Sequence, residues 1–192
     1  GLAFALAAKD TIANLFGSAT IFASRPFQIG DWVVIGGTTE GVVESVGFRS
    51  TRVRTFYNSL ISIPNAKVAD AVVDNYGARE FRRFKMTIGL TYDTTTEQMQ
   101  AYVEGVRAIL KNNPSIRQDA FEVHFNSFGD SSLNVLVYSF LKVPDWSTEL
   151  REKHNLMLEF MRLADHVGVS FAFPTQTLHL DTVAEATDQS VQ

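Results

Sequence analysis

Arg25-Pro26-Phe27-Gln28-Ile29-Gly30-Asp31 divides this chain in two. The residue before a proline is pushed out of the right-handed helical region, so a helix arriving from the N-terminal side ends at Arg25. Upstream, residues 1–24 read as that one helix. Positions 1–8 are wholly apolar, Lys9-Asp10 interrupt, and apolar residues resume from Ile12 to Ala23. A lone lipid-facing span needs roughly 18 uninterrupted apolar residues, which this stretch lacks. A helix with lipid or neighbouring helices on one side and water on the other tolerates such charges. Small residues recur four apart at Gly1/Ala5, Ala3/Ala7 and Ala13/Gly17, a spacing that lets helix backbones approach closely. An Ala-rich helix docked on a soluble core fits the composition equally well. The chain starts without methionine inside an apolar stretch and has no basic leader region, so it is expected to be a fragment of a longer protein.

Downstream, the pattern changes to β. Val33-Val34-Ile35 precede a Gly36-Gly37 turn, and Gly41-Val42-Val43 lead on to Val46. Thr51, Val53 and Thr55 then alternate, and Leu60 to Ile63 run up to Pro64-Asn65. Short strands with frequent turn signals predict a small SH3-like or Sm-like barrel over residues 25–78.

Residues 79–174 mix both periods. Phe84, Met86, Ile88 and Leu90 alternate as a strand. Thr94 to Glu97 has a capping-box pattern, followed by a helix face of Met99, Tyr102, Val103, Val106, Ile109 and Leu110 that stops at Asn112-Asn113-Pro114. Phe121, Val123 and Phe125 mark a second strand, Phe128-Gly129-Asp130 a turn, and Leu133 to Leu141 a third strand. Asp145 or Ser147 caps a helix whose face is Leu156, Phe160, Leu163 and Val167; Gly168 ends it, and Val169 to Phe173 form a fourth strand. The order βαββαβ is ferredoxin-like. Residues 175–181 read as a further strand, and 182–192 as a disordered tail. The fold class expected is therefore a multidomain α+β chain.

Composition removes several functions. The 192 residues are 45% hydrophobic, so a packed core is expected. With 17 basic and 21 acidic residues the formal charge is −4, which argues against a dedicated nucleic-acid binder. The absence of cysteine removes disulfides, thiolate metal sites and cysteine catalysis. His124, His154, His166 and His179 include no pair three or four apart, so no helical metal pair exists. There is no nucleophile elbow, P-loop or dinucleotide fingerprint. No catalytic, cofactor or metal site is expected. Arg79, Arg82, Arg83 and Lys85, interleaved with Phe81 and Phe84, form the one cluster with the look of an RNA-binding surface. A solvated strand edge or an ion-pair set accounts for it better, given the net acidic charge.

Several ordered stretches together resemble the small-conductance mechanosensitive (MscS-like) channel family. Gly1 to Ala7 with Asn14-Leu15 is similar to the second half of its pore-lining helix. Arg25, Pro26, Phe27, Gly30 and Asp31 fit the family's R-P-F-x-x-G-D junction from helix to β domain. Gly41 to Glu44, Arg49 to Thr55, Ile63-Pro64-Asn65 with Asn75, and Phe171 to Thr177 follow in the family's order. Phe125-Asn126 with Phe128 and Asp130 to Asn134 is most similar to the larger bacterial members, which carry extra membrane helices upstream. Lys9-Asp10 stands where familiar members have a Gln-Gly pair at the helix kink, so the resemblance does not extend to a glycine hinge.

The resemblance implies a heptameric channel opened by membrane tension. It would lie in the bacterial inner membrane with its β and α/β domains cytoplasmic, the bilayer and permeating ions as partners, and no nucleic acid. Leu2 and Leu6 would line the pore as an apolar gate with Lys9 below them, and residues 175–181 would supply one strand of an intersubunit barrel. The alternative is a soluble RNA-binding or scaffold protein built from the same two folded parts.

Overall fold

The computed structural model describes residues 1–174, with side chains described throughout except at positions 2–7. The expected barrel strand 175–181, the expected tail 182–192 and His179 lie outside the described residues. The chain divides into two compact units, Gly1–Glu80 and a second beginning at Phe81.

The first unit opens with α1 (Leu2–Ser24), which ends as the proline argument requires. Arg25 takes the left-handed conformation (φ 47°), its N–H bonded to the Ile21 carbonyl, and Pro26 follows. Then come β1 (Trp32–Ile35), β2 (Thr39–Val46), β3 (Ser50–Arg54), β4 (Leu60–Pro64), α2 (Asn65–Asp70) and β5 (Val73–Asn75). They form one antiparallel five-stranded sheet in the order β4-β3-β2-β1-β5. Gly36 and Gly37 both have positive φ, which glycine adopts without a Cβ penalty, so the β1–β2 turn is tight. Alternate residues of the strands bury Val33, Ile35, Val43 and Val53, and Ile21, Phe27 and Val68 close the core from outside the sheet. Sequence periodicity missed α2 and β5. A six-residue helix and a three-residue strand are too short to show a period.

The second unit contains β6 (Arg82–Leu90), α3 (Thr96–Asn112), β7 (Glu122–Phe128), β8 (Leu133–Leu141) and α4 (Trp146–Val167). The strands form an antiparallel sheet in the order β6-β8-β7. One face of β8 (Leu133, Val135, Val137, Leu141) packs with Tyr102, Val106 and Leu110 of α3 and Leu156 and Phe160 of α4. The capping box on α3 sits one residue later than its sequence pattern suggested: Thr95 accepts from the Gln98 N–H, and Gln98 accepts from the Thr95 N–H. The run Thr94-Thr95-Thr96 offers three registers, and this one turns Met99, Tyr102 and Val103 inward. The expected fourth strand is reduced to a bridge between Leu90 and Phe171, with backbone bonds only from Ser170 to Ala172. Pro174, which has no N–H, follows directly.

A half-hidden ion cluster ties α4 to β6. Glu149, with its side chain 11% exposed, lies between Arg82 (3.0 Å) and Lys153 (2.6 Å). Burial pushes its carboxyl up, but the hydrogen bonds from Lys153 and Arg82 outweigh that and hold it below the usual carboxylate range. A depressed pKa in the folded state stabilises above the unfolded value, and that stabilisation fades as pH falls through the folded one. Glu149→Gln should therefore cost the second unit about 2 kcal/mol at pH 7, the scale of charged hydrogen bonds lost. Denaturant unfolding at falling pH should show the gap to wild type closing below about pH 4. A gap independent of pH would contradict the ion-pair origin.

Candidate functional site

The face that α1 presents to its own sheet is polar and small. Asn14, Gly17, Ser18 and Ile21 are buried, at the i, i+3, i+4, i+7 spacing of one helix face. Gly17 is required there: a Cβ at this position would stand 2.5 Å from the Asn65 carbonyl carbon and 2.6 Å from the Ala66 nitrogen. Of the small residues in α1, this one lets α2 approach.

Around Gly17 lies a closed polar network. The wholly buried Asn65 Nδ2 donates to Ser18 Oγ (2.7 Å) and to the Gly47 carbonyl (2.7 Å). Its Oδ1 accepts from Thr51 Oγ1 at 2.8 Å. Ser18 Oγ lies within hydrogen-bond distance of the Phe48 and Asn14 carbonyls. Asn14 Oδ1 accepts from the Ala66 N–H at 3.1 Å. Every polar side chain in this seam thus has a partner, as burial demands.

A second clasp closes the helix exit. Asp31 Oδ2 accepts from the Gln28 N–H and from Asn75 Nδ2, each at 2.8 Å. Asn75 Nδ2 also reaches the Pro26 carbonyl at 3.1 Å, and Asn75 Oδ1 accepts from the Ala78 N–H. Phe27 is buried in the β core between these polar contacts. Gly30 has φ 96°, a conformation that favours glycine, and its N–H bonds the Val43 carbonyl. The junction Pro26–Asp31 is thereby tied to β5 through Asn75 and to β2 through the Gly30 N–H.

Residues 10–78 match the family model described as "Mechanosensitive ion channel, beta-domain", and residues 84–171 the one described as "Mechanosensitive ion channel MscS, C-terminal". The chain belongs to the MscS family. It is 39% identical over 181 residues to the small-conductance mechanosensitive channel MscMJ of Methanocaldococcus jannaschii, covering 94% of this chain and 51% of that one. It is 38% identical over 185 residues to the low conductance mechanosensitive channel YnaI of Escherichia coli, covering 95% and 54%. The chain thus spans about half the length of these curated relatives. The crystal structure of Helicobacter pylori MscS in its closed state has the same fold, with a TM-score of 0.78 at 24% identity over 95% of this chain and 70% of that one.

Within this MscS-family chain the junction residues come together as described, whereas Leu2 and Leu6 lie on α1 with side chains outside the described set. Lys9 is exposed. Among the described residues no helix is long and apolar enough to cross a membrane, so α1 by itself is not the span that a transmembrane reading of residues 1–24 expects. The residues of the Arg79–Lys85 cluster make separate contacts. Arg79 stacks on Trp32 and Tyr76 (5.1 and 4.6 Å) in the first unit, Arg82 is held by Glu149, and Arg83 and Lys85 are exposed with no ion pair among the described residues. The matched families and relatives are those of mechanosensitive channels and give the RNA-binding alternative no support. The reading from sequence missed Ser18, Thr51 and the role of Asn65. A signal was present: Asn14 and Ser18 are polar, four apart, inside a mostly apolar stretch.

Proposed function

We propose that the chain is the C-terminal part of a mechanosensitive channel subunit, which opens under membrane tension and releases ions and small solutes in hypo-osmotic stress. One observation carries this reading. α1 turns its small and polar side to its own sheet and leaves Ile12, Leu15, Phe16 and Phe22 between 49% and 70% exposed. So large an apolar stripe needs lipid or neighbouring helices to cover it. The names of the curated relatives support the same reading.

In this proposal seven copies form a ring in the bacterial inner membrane, with further membrane helices upstream and the folded units cytoplasmic. Residues 1–24 line the pore, 25–78 form an Sm-like barrel, 79–174 a ferredoxin-like domain, and 175–181 a strand of a shared barrel. Leu2 and Leu6, one helical turn apart, form an apolar constriction that excludes ions by dewetting, with Lys9 biasing which ions approach. Arg25, Pro26, Phe27, Gly30 and Asp31 transmit force between helix and β domain. Leu6→Ser in the full-length protein should wet the constriction and lower the opening threshold in patches under graded suction. An unchanged threshold and leak for both Leu2→Ser and Leu6→Ser would remove these residues from the gate.

A further inference from the structure

The two edges of the second unit's sheet differ in shape. At the β7 edge Phe125 and Phe128 meet edge to face, with centroids 5.0 Å apart, and Phe128 is 74% exposed. They form an aromatic knob. At the β6 edge an open groove of about 350 Å³ runs between the strand and α4, lined by Met86, Ile88, Met157, Met161 and Phe171. Met157 and Met161 are 43% and 53% exposed. Flexible, polarisable thioethers around an apolar groove suit an aromatic guest.

The charges differ in the same sense. Phe84 and Ile88 point to the helices, so Arg83 and Lys85 occupy the opposite face of β6, exposed and with no ion pair among the described residues. Val123 points to the helices, so Glu122 stands on that same outer face at β7, where it bonds His124 at 2.7 Å.

The heights match too. β6 and β7 are both antiparallel to β8 and so run parallel to each other. Lys85 and Glu122 both face Tyr138; Ile88 and Phe125 both face Val135; Leu90 and Phe128 both face Leu133. Setting a second copy beside the first brings knob to groove in the helix layer and cation to anion on the outer face, at common levels along the strands. Backbone pairing is not required, because Ser170–Ala172 already occupy the β6 edge near Gly89 and Leu90.

We propose that these two edges are the two halves of a head-to-tail contact between copies of this chain. The Phe125–Phe128 knob of one copy enters the methionine-lined groove of the next, and Glu122 faces Arg83 and Lys85. A surface that pairs two unlike patches is heterologous and closes into rings, so the inference rests on the ring reading and adds the surface that builds it.

Cysteine cross-linking tests it, and this chain brings no cysteine of its own. In full-length protein with no other cysteine, solubilised in detergent, Phe128→Cys plus Met161→Cys in one chain should give a ladder of linked species on mild oxidation. Each single variant should give monomers on the gel, and their co-expression should give linked pairs and nothing larger. Lys85→Glu and Glu122→Lys should each reduce the linked fraction several-fold, and the pair together should restore it. All four positions are exposed, so the fold is expected to survive, as circular dichroism would show. A ring by light scattering without linkage overturns this surface and leaves the ring standing. Phe128→Cys linking to itself overturns the head-to-tail arrangement. A protein that stays monomeric overturns both.

Discussion

Asn65→Ala is expected to cost the first unit about 3 kcal/mol, a loss of more than a hundredfold in its folded-to-unfolded ratio. The side chain removed is wholly buried and makes three of the hydrogen bonds in the α1 seam. Its loss leaves the wholly buried Thr51 hydroxyl without an acceptor and the buried Ser18 hydroxyl without this donor. Each orphaned buried group costs about 1–3 kcal/mol, far more than the bond contributed when made. Equilibrium unfolding in urea, followed by the fluorescence of Trp32 with Trp146→Phe as background, reads the first unit alone. A change under about 0.5 kcal/mol, the range of ordinary surface substitutions, would mean the network is not closed as described.

Gly17→Ala should be as damaging although it adds a single methyl group. The new carbon would stand 2.5–2.6 Å from main-chain atoms of Asn65 and Ala66, which cannot swing aside as a side-chain tip can. α1 would have to move away by about the missing ångström, lengthening the Asn14–Ala66 and Ser18–Asn65 bonds. Overpacking of this kind costs about 1–3 kcal/mol, and the loosened polar seam brings the total to about 3. Elsewhere in a helix the same change would stabilise by about 1 kcal/mol, so the sign itself is diagnostic. Combined with Asn65→Ala, the loss should fall well short of the sum, since both act through one seam. Strict additivity would show that Gly17 and Asn65 serve separate contacts.

How much of this was legible depends on the range over which residues interact. The helix exit was legible because Pro26 acts on its immediate neighbour, and the strands and helices of the second unit because their periods repeat over seven residues or more. The four-strand count there failed at its last member, where only Ser170 to Ala172 pair with the sheet among the described residues. α2 and β5 left no trace because neither is long enough to repeat. The seam was illegible because Ser18 and Asn65 are 47 positions apart, and no local pattern marks two residues as partners. The same distance hid the reason for Asn75: it completes the Asp31 clasp from 44 residues downstream.

That separation also sets an order of events during synthesis. α1 leaves the ribosome before its own sheet, and Asn65 and Ala66, which its polar face requires, follow about fifty residues later. At roughly 5–20 residues per second the helix waits some 3–10 seconds with Asn14 and Ser18 unmatched. Throughout that interval the helix is a better substrate for a chaperone or an insertion machinery than for its own domain, and slowing translation just before Pro64 should lengthen the period in which it can be captured or misplaced.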